Sequence, residues 1–226
     1  MKKAKRSFTL SIVLFVLFAV FTILVKTVGV KAVGPENSLV GFADLNKGFY
    51  DAVGGNKFWY YLTQGYGLLS ILVMVCFACL GLYELVKRKS IKAVDPEIIS
   101  LGAFYVLVLA VYVFFEKVII NYRPVIEDVE EGLEASYPSS HTVLIITVLA
   151  STVSALASMQ KMMSASTVRT LTLAADVVII TAIIGRLLSG VHWLTDIIGG
   201  VILAFALVFL FNGVIACVNT GKKSKE

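Results

Sequence analysis

Phe8-Thr9-Leu10-Ser11-Ile12-Val13-Leu14-Phe15-Val16-Leu17-Phe18-Ala19-Val20-Phe21-Thr22-Ile23-Leu24-Val25 runs for eighteen residues without a charged side chain. A bilayer core needs roughly 20 such residues in a helix, and this run extends to about Val30 with one interruption at Lys26. Met1-Lys2-Lys3-Ala4-Lys5-Arg6 in front of it looks like the basic start of a secretory signal. The apolar stretch is too long for one, however, and no small-x-small cleavage site follows, so it reads as an anchor.

Working outward, comparable runs recur at about 66–86, 98–119, 140–160, 168–188 and 193–217. Hydrophobic residues make up 58% of the 226 and charged residues 15%, far from the balance of a soluble domain. The chain is therefore expected to be all-α: a six-transmembrane-helix bundle forming a single integral-membrane domain over 1–226. It shows no internal repeat and no long soluble insertion.

An even number of spans puts both termini on one side. Most of the 20 basic residues fall on that side: Lys2, Lys3, Lys5 and Arg6; Lys87, Arg88, Lys89 and Lys92; Lys161 and Arg169; Lys222, Lys223 and Lys225. The positive-inside rule makes these segments cytoplasmic, in a multi-pass protein of the cell membrane. The opposite loops then face outward, including the acidic run Glu127-Asp128-Val129-Glu130-Glu131-Gly132-Leu133-Glu134. The +5 net charge is accounted for by topology, and nucleic acid is excluded as a partner because the basic clusters are short and flank apolar helices.

Between about Lys31 and Tyr66 lies the only sizeable outer loop, rich in aromatics at Phe42, Phe49, Tyr50, Phe58, Trp59, Tyr60 and Tyr61. Such side chains favour the headgroup level, so a short interfacial amphipathic helix is expected there, as an aromatic belt or as a lid over a site. Cys76, Cys79 and Cys217 fall within spans and read as small packing residues. Asp176 falls inside the fifth span, where an ionised carboxylate is costly. Protonation, a bond to a neighbouring helix and a position nearer the cytoplasmic end all remain open for it.

Three polar motifs are expected to meet at the outer face. Glu116-Lys117-Val118-Ile119-Ile120-Asn121-Tyr122-Arg123-Pro124 closes the third span. Arg123 offers a planar fork for phosphate oxygens and Lys117 a point charge, unless both simply reach for headgroups. Pro138-Ser139-Ser140-His141-Thr142 opens the fourth span, where a serine N-cap leaves backbone N–H groups and a positive dipole end for an anion. In Arg186-Leu187-Leu188-Ser189-Gly190-Val191-His192-Trp193-Leu194-Thr195-Asp196, His192 and Asp196 are four residues apart. On a helix they would share a face, with the carboxylate orienting an imidazole nucleophile. His141 and His192 are the only histidines.

These motifs resemble those of the type 2 phosphatidic acid phosphatases, integral-membrane relatives of the vanadium haloperoxidases and bacterial acid phosphatases. That family carries Lys-x6-Arg-Pro, Pro-Ser-Gly-His and Ser-Arg-x5-His-x3-Asp. This chain matches at Arg123 and Pro124, at Pro138, Ser139 and His141, and at Arg186, His192 and Asp196. It departs at Ser140, where the family has glycine, and at Gly185, where it has serine. Lys117 also lies one residue too close to Arg123, with Glu116 in the expected place. One residue turns a helical position by about 100°, so Lys117 reaches the site only if the helix end is distorted or its stem bends.

The resemblance implies that His192 attacks phosphorus to give a phosphohistidine, with Asp196 orienting it and His141 protonating the departing oxygen. Arg123, Arg186, Ser139, the backbone at Ser140 and Lys117 would hold the phosphoryl oxygens. Those contacts supply transition-state charge stabilisation, so neither a metal nor another cofactor is expected. The implied partner is a membrane lipid phosphate in the bilayer: phosphatidate, phosphatidylglycerophosphate or a polyprenyl pyrophosphate. A lipid phosphotransferase, and a catalytically impaired phosphate-binding or transport protein, are the alternatives.

Overall fold

The computed structural model describes residues 1–130, 132–159 and 163–223. Glu131, Lys161 and Lys225, used above to read loop charge and topology, lie outside the described residues. Six helices are long and apolar enough to cross a membrane. In chain order the helices are α1 (Lys2–Thr27), α2 (Ala43–Val53), α3 (Lys57–Arg88), α4 (Pro96–Lys117), α5 (Ser140–Ser158), α6 (Ala165–Leu188) and α7 (Leu194–Lys223). All but α2 are spans, and α2 is the short helix expected in the first outer loop.

The spans are apolar all round because most face lipid on one side and protein on the other. Ile12, Val13, Val16, Leu72, Val75, Leu109 and Val113 stand on the outer surface, where water would penalise them and lipid does not. Inside, Leu101, Phe104, Val108, Val148, Leu207 and Phe211 form the main core. Close approaches at small residues hold the helices together, as is usual where no hydrophobic drive separates helix from lipid. A side chain at Gly213 would press on the Phe8 ring, and Ser11 Oγ donates to the Ala206 carbonyl at 2.8 Å, so α1 lies flush along α7. Between α4 and α5, Tyr105 and Thr152 share a 2.7 Å hydroxyl bond.

The connection from α1 to α3 is more ordered than its composition suggests. Lys31–Ala32 and Leu39–Val40 pair as an antiparallel ribbon, β1 and β2, ahead of α2. Asn46 on α2 is fully buried: its Nδ2 donates to Gly41 O and Thr195 Oγ1, and its Oδ1 accepts from Thr195 N. That side chain caps the start of α7 and ties α2 to it.

One expectation needs correction, and for Asp176 one of three open alternatives falls away. Cys76, Cys79 and Cys217 are free and on exposed helix faces, so they are not packing residues. Asp176 is exposed beside Leu173, Val177 and Ile180 on the outer side of α6, and among the described residues it bonds no neighbouring helix.

Candidate active site

The connection from α4 to α5 brings the first two motifs together. Tyr122 and Ala135 form an antiparallel bridge, flanked by Arg123 N–H to Glu134 O at 3.1 Å and Ser136 N–H to Asn121 O at 2.9 Å. This short ladder sets Asn121 and Arg123 beside Ser136 and the start of α5. Ser139 caps α5, its Oγ accepting from Thr142 Oγ1 at 2.9 Å and from the Thr142 backbone N–H, and its own N–H donates to Asp196 O. The third motif joins through that bond. Between α6 and α7 the chain turns at 189–193, with Gly190 in the left-handed region (φ 72°) and pressed on Gly54 and Gly55.

His192 therefore sits in the turn ahead of α7 rather than on the helix, which begins at Leu194. The direct bond to Asp196 expected from an i, i+4 spacing is absent, and Nδ1 lies 3.9 Å from Oδ2. Ser136 fills the gap: its Oγ is 3.0 Å from His192 Nδ1 and donates to Asp196 Oδ2 at 2.5 Å. Asp196 also accepts from Trp193 N–H at 2.9 Å and from Asn121 Nδ2 at 3.3 Å. On the other side of the ring, Arg186 Nη2 is 2.8 Å from His192 Nε2. A guanidinium only donates, so Nε2 carries a lone pair and the ring proton is on Nδ1, pointing to Ser136. Nδ1–H, Ser136 O–H and the Asp196 carboxylate form one directed chain ending in an unprotonated nitrogen. Burial, and then the charges of Arg186, Arg123 and His141, hold the His192 pKa well below its usual 6.5.

Of the two arginines around this nitrogen, Arg186 is incompletely satisfied and Arg123 is ion-paired. Arg186 has no solvent exposure and reaches Thr63 Oγ1 with Nη1 at 3.4 Å, yet its Nε–H has no partner. Arg123 pairs with the carboxylates of Glu127 and Glu134, its Nε lying 3.1 Å from Glu134 Oε2. An unspent guanidinium donor on the buried Arg186 is what an oxyanion would complete. The acidic run does not simply repel anions: two of its carboxylates hold Arg123.

The motif residues divide clearly. His192, Asp196, Arg186, Arg123, Ser139 and His141 meet at one end of the bundle, and Ser140 opens α5 beside them. Lys117 does not join them: it is exposed at the last position of α4 and, unlike Glu116, does not line the cavity between α3, α4 and α5. Gly185, where the resembling family has serine, has a packing cause. A Cβ there would come within 2.7 Å of Thr63 Cγ2 and 3.1 Å of the Trp59 ring.

From His141 an apolar cavity of about 440 Å³ extends between α3, α4 and α5, lined by Leu68, Ile71, Leu109, Phe115 and Leu144. The sequence profile of the PAP2 superfamily matches residues 98–216, just over half of the chain. This protein belongs to the PAP2 superfamily. A crystal structure of a transmembrane PAP2-type phosphatidylglycerolphosphate phosphatase from Bacillus subtilis is similar in fold, with a TM-score of 0.59 and 17% identity over 95% of this chain and 96% of that one. No protein of curated function matches this chain. The superfamily and the fold are those of a multi-pass membrane phosphatase.

Sequence reasoning missed Ser136, Asn121, Thr63 and Gln64. Asn121 lies inside the first motif and Ser136 just ahead of the second, but neither carries a spacing signal. Thr63 and Gln64 fell in the loop before a span expected from Tyr66, whereas α3 starts at Lys57 and carries both into the bundle.

Proposed function

We propose that this PAP2 protein hydrolyses a phosphate monoester or pyrophosphate of a membrane lipid at the outer face, through a phosphohistidine on His192. The observation that carries the reading is the cavity between α3, α4 and α5. Its walls are mostly apolar and His141 lines it, within the field of Arg186 and Arg123, so a lipid tail fits where the leaving group must lie.

Attack by the His192 Nε2 lone pair forms an N–P bond while the P–O bond to the lipid breaks. The departing oxygen takes a proton from His141. Water then forms a new O–P bond as the N–P bond breaks, its proton returns to His141, and inorganic phosphate leaves. Arg186 exchanges its bond to Nε2 for a phosphoryl oxygen, and with Arg123 it offsets the charge developing on the transferred group. Ser139 contributes its hydroxyl proton, which neither bond to Thr142 uses, and the start of α5 at Ser140 adds the helix dipole. Through the Ser136 hydroxyl, Asp196 stabilises the proton on Nδ1 as positive charge builds on the ring.

The outward orientation is supported by basic clusters at Lys2 to Arg6 and Lys87 to Lys92, at the ends of α1 and α3 opposite the site. Purified protein in a chelating buffer is expected to release inorganic phosphate from phosphatidate, phosphatidylglycerophosphate or a polyprenyl pyrophosphate, and His192→Ala to release none. Phosphate appearing only on an acceptor alcohol would make the protein a phosphotransferase. No turnover on all three lipids would reject the reading.

A further inference from the structure

α3 carries a second relay, directed at His141. Gln64 Oε1 makes a short hydrogen bond to His141 Nε2, and Gln64 Nε2 donates to Tyr60 Oη at 3.0 Å. Tyr60 and Gln64 are one turn apart on α3, so the helix aligns them. Gly67, a further turn fraction along, lets the ring lie against the α3 backbone: a Cβ there would come within 2.9 Å of His141 Cδ2. Backbone below, Gln64 at one nitrogen and Tyr60 behind Gln64 confine the imidazole to one orientation.

With its amide nitrogen spent on Tyr60, Gln64 presents an oxygen to His141, and a carboxamide oxygen can only accept. His141 Nε2 must then keep its proton in both charge states of the ring. Nδ1, which makes no hydrogen bond among the described residues, is left as the nitrogen that gains and loses the catalytic proton. We infer that Gln64, held by Tyr60, is a positioning residue that fixes the Nε2–H tautomer of His141 and assigns proton transfer to Nδ1. This rests on His141 being the acid of the proposed reaction. In that step Nδ1–H gives its proton to the lipid oxygen as the P–O bond breaks, and Nδ1 recovers one from the attacking water.

The ionisable groups around His141 come from several elements: Tyr60 on α3 through Gln64, Glu116 and Tyr112 on α4 across the shared cavity, Arg186 on α6, and Arg123 and His192 from the connections. Gln64 is distinct among the ring's contacts because it is neutral and touches a ring nitrogen directly. Replacing it by glutamate adds one negative charge at that nitrogen without altering shape, and replacing it by leucine removes the bond.

Gln64→Leu is expected to lower kcat on a lipid phosphate by about 10- to 100-fold with KM within about twofold. Hydrolysis of p-nitrophenyl phosphate, whose phenolate departs without protonation, should fall by less than about threefold. Gln64→Glu should move the basic limb of the kcat pH profile upward, and Tyr60→Phe should repeat the leucine effect in weaker form. Equal losses on both substrates, or an unchanged lipid kcat, would overturn the inference.

A readout independent of turnover separates this from the phosphatase reading. The chain has two histidines, so His192→Gln leaves His141 as the single imidazole. The ¹⁵N spectrum of histidine-labelled protein at a pH where the ring is neutral should then show protonated Nε2 and bare Nδ1. Gln64→Leu should convert this to a tautomer mixture. Finding Nδ1–H instead, the state that a reversed Gln64 amide would impose, overturns the proposal even if phosphate is released.

Discussion

At the scale of single residues, the hydroxyl of Ser136 orients His192, the nucleophile proposed above. It accepts from Nδ1–H of His192 and donates its own hydrogen bond to Asp196 Oδ2, bridging a gap of 3.9 Å that is too long for a direct hydrogen bond. Ser136→Ala should lower kcat by about 10- to 100-fold, the cost of one hydrogen bond to a charged partner, while KM changes little. If kcat were unaffected, Asp196 would be acting without the bridge. Much of this site was legible in the sequence: His192, Asp196, His141 and the two arginines are residue types whose chemistry shows wherever they stand. Ser136 was not, because a serine two residues before a proline looks like any loop serine until folding sets it between two other side chains. Lys117 erred in the other direction. Its charge was visible, but its azimuth on α4 turns it away.

At the scale of elements, the spans were readable because lipid demands long, predominantly apolar helices whose backbone is satisfied internally. Their ends were less so. α3 starts at Lys57 because polar groups at its outer end, Thr63 and Gln64, are satisfied by Arg186, His141 and Tyr60 rather than by water. Hydropathy measures transfer to lipid and cannot see such partners. The same crossing of α3 and α6 explains Gly185. Gly185→Ser should destabilise the protein by about 1–3 kcal/mol through overpacking against Thr63 and Trp59. It should also reduce activity, since Arg186 is the next residue. Thermal unfolding in detergent would show the first effect, and unchanged stability would mean that the helices separate at no cost.

At the scale of the whole molecule, six spans carry polar chemistry at one end and basic clusters at the other, and a buried neutral histidine links stability to pH. The folded state holds His192 unprotonated while the unfolded chain binds a proton below about pH 6.5. Stability from this group is therefore intact above pH 6.5 and falls as pH drops below it. The melting temperature of the native protein should decline more steeply from pH 7 to pH 5 than that of His192→Gln; parallel curves would mean that the imidazole accepts its proton in the fold. The central claim is that phosphate passes through His192. Rapid-quench mixing of the protein with a lipid labelled on its transferable phosphate should trap label on the protein that is stable in alkali, lost in acid and absent from His192→Ala. Label persisting in His192→Ala, or native protein releasing phosphate with none ever trapped, would contradict it.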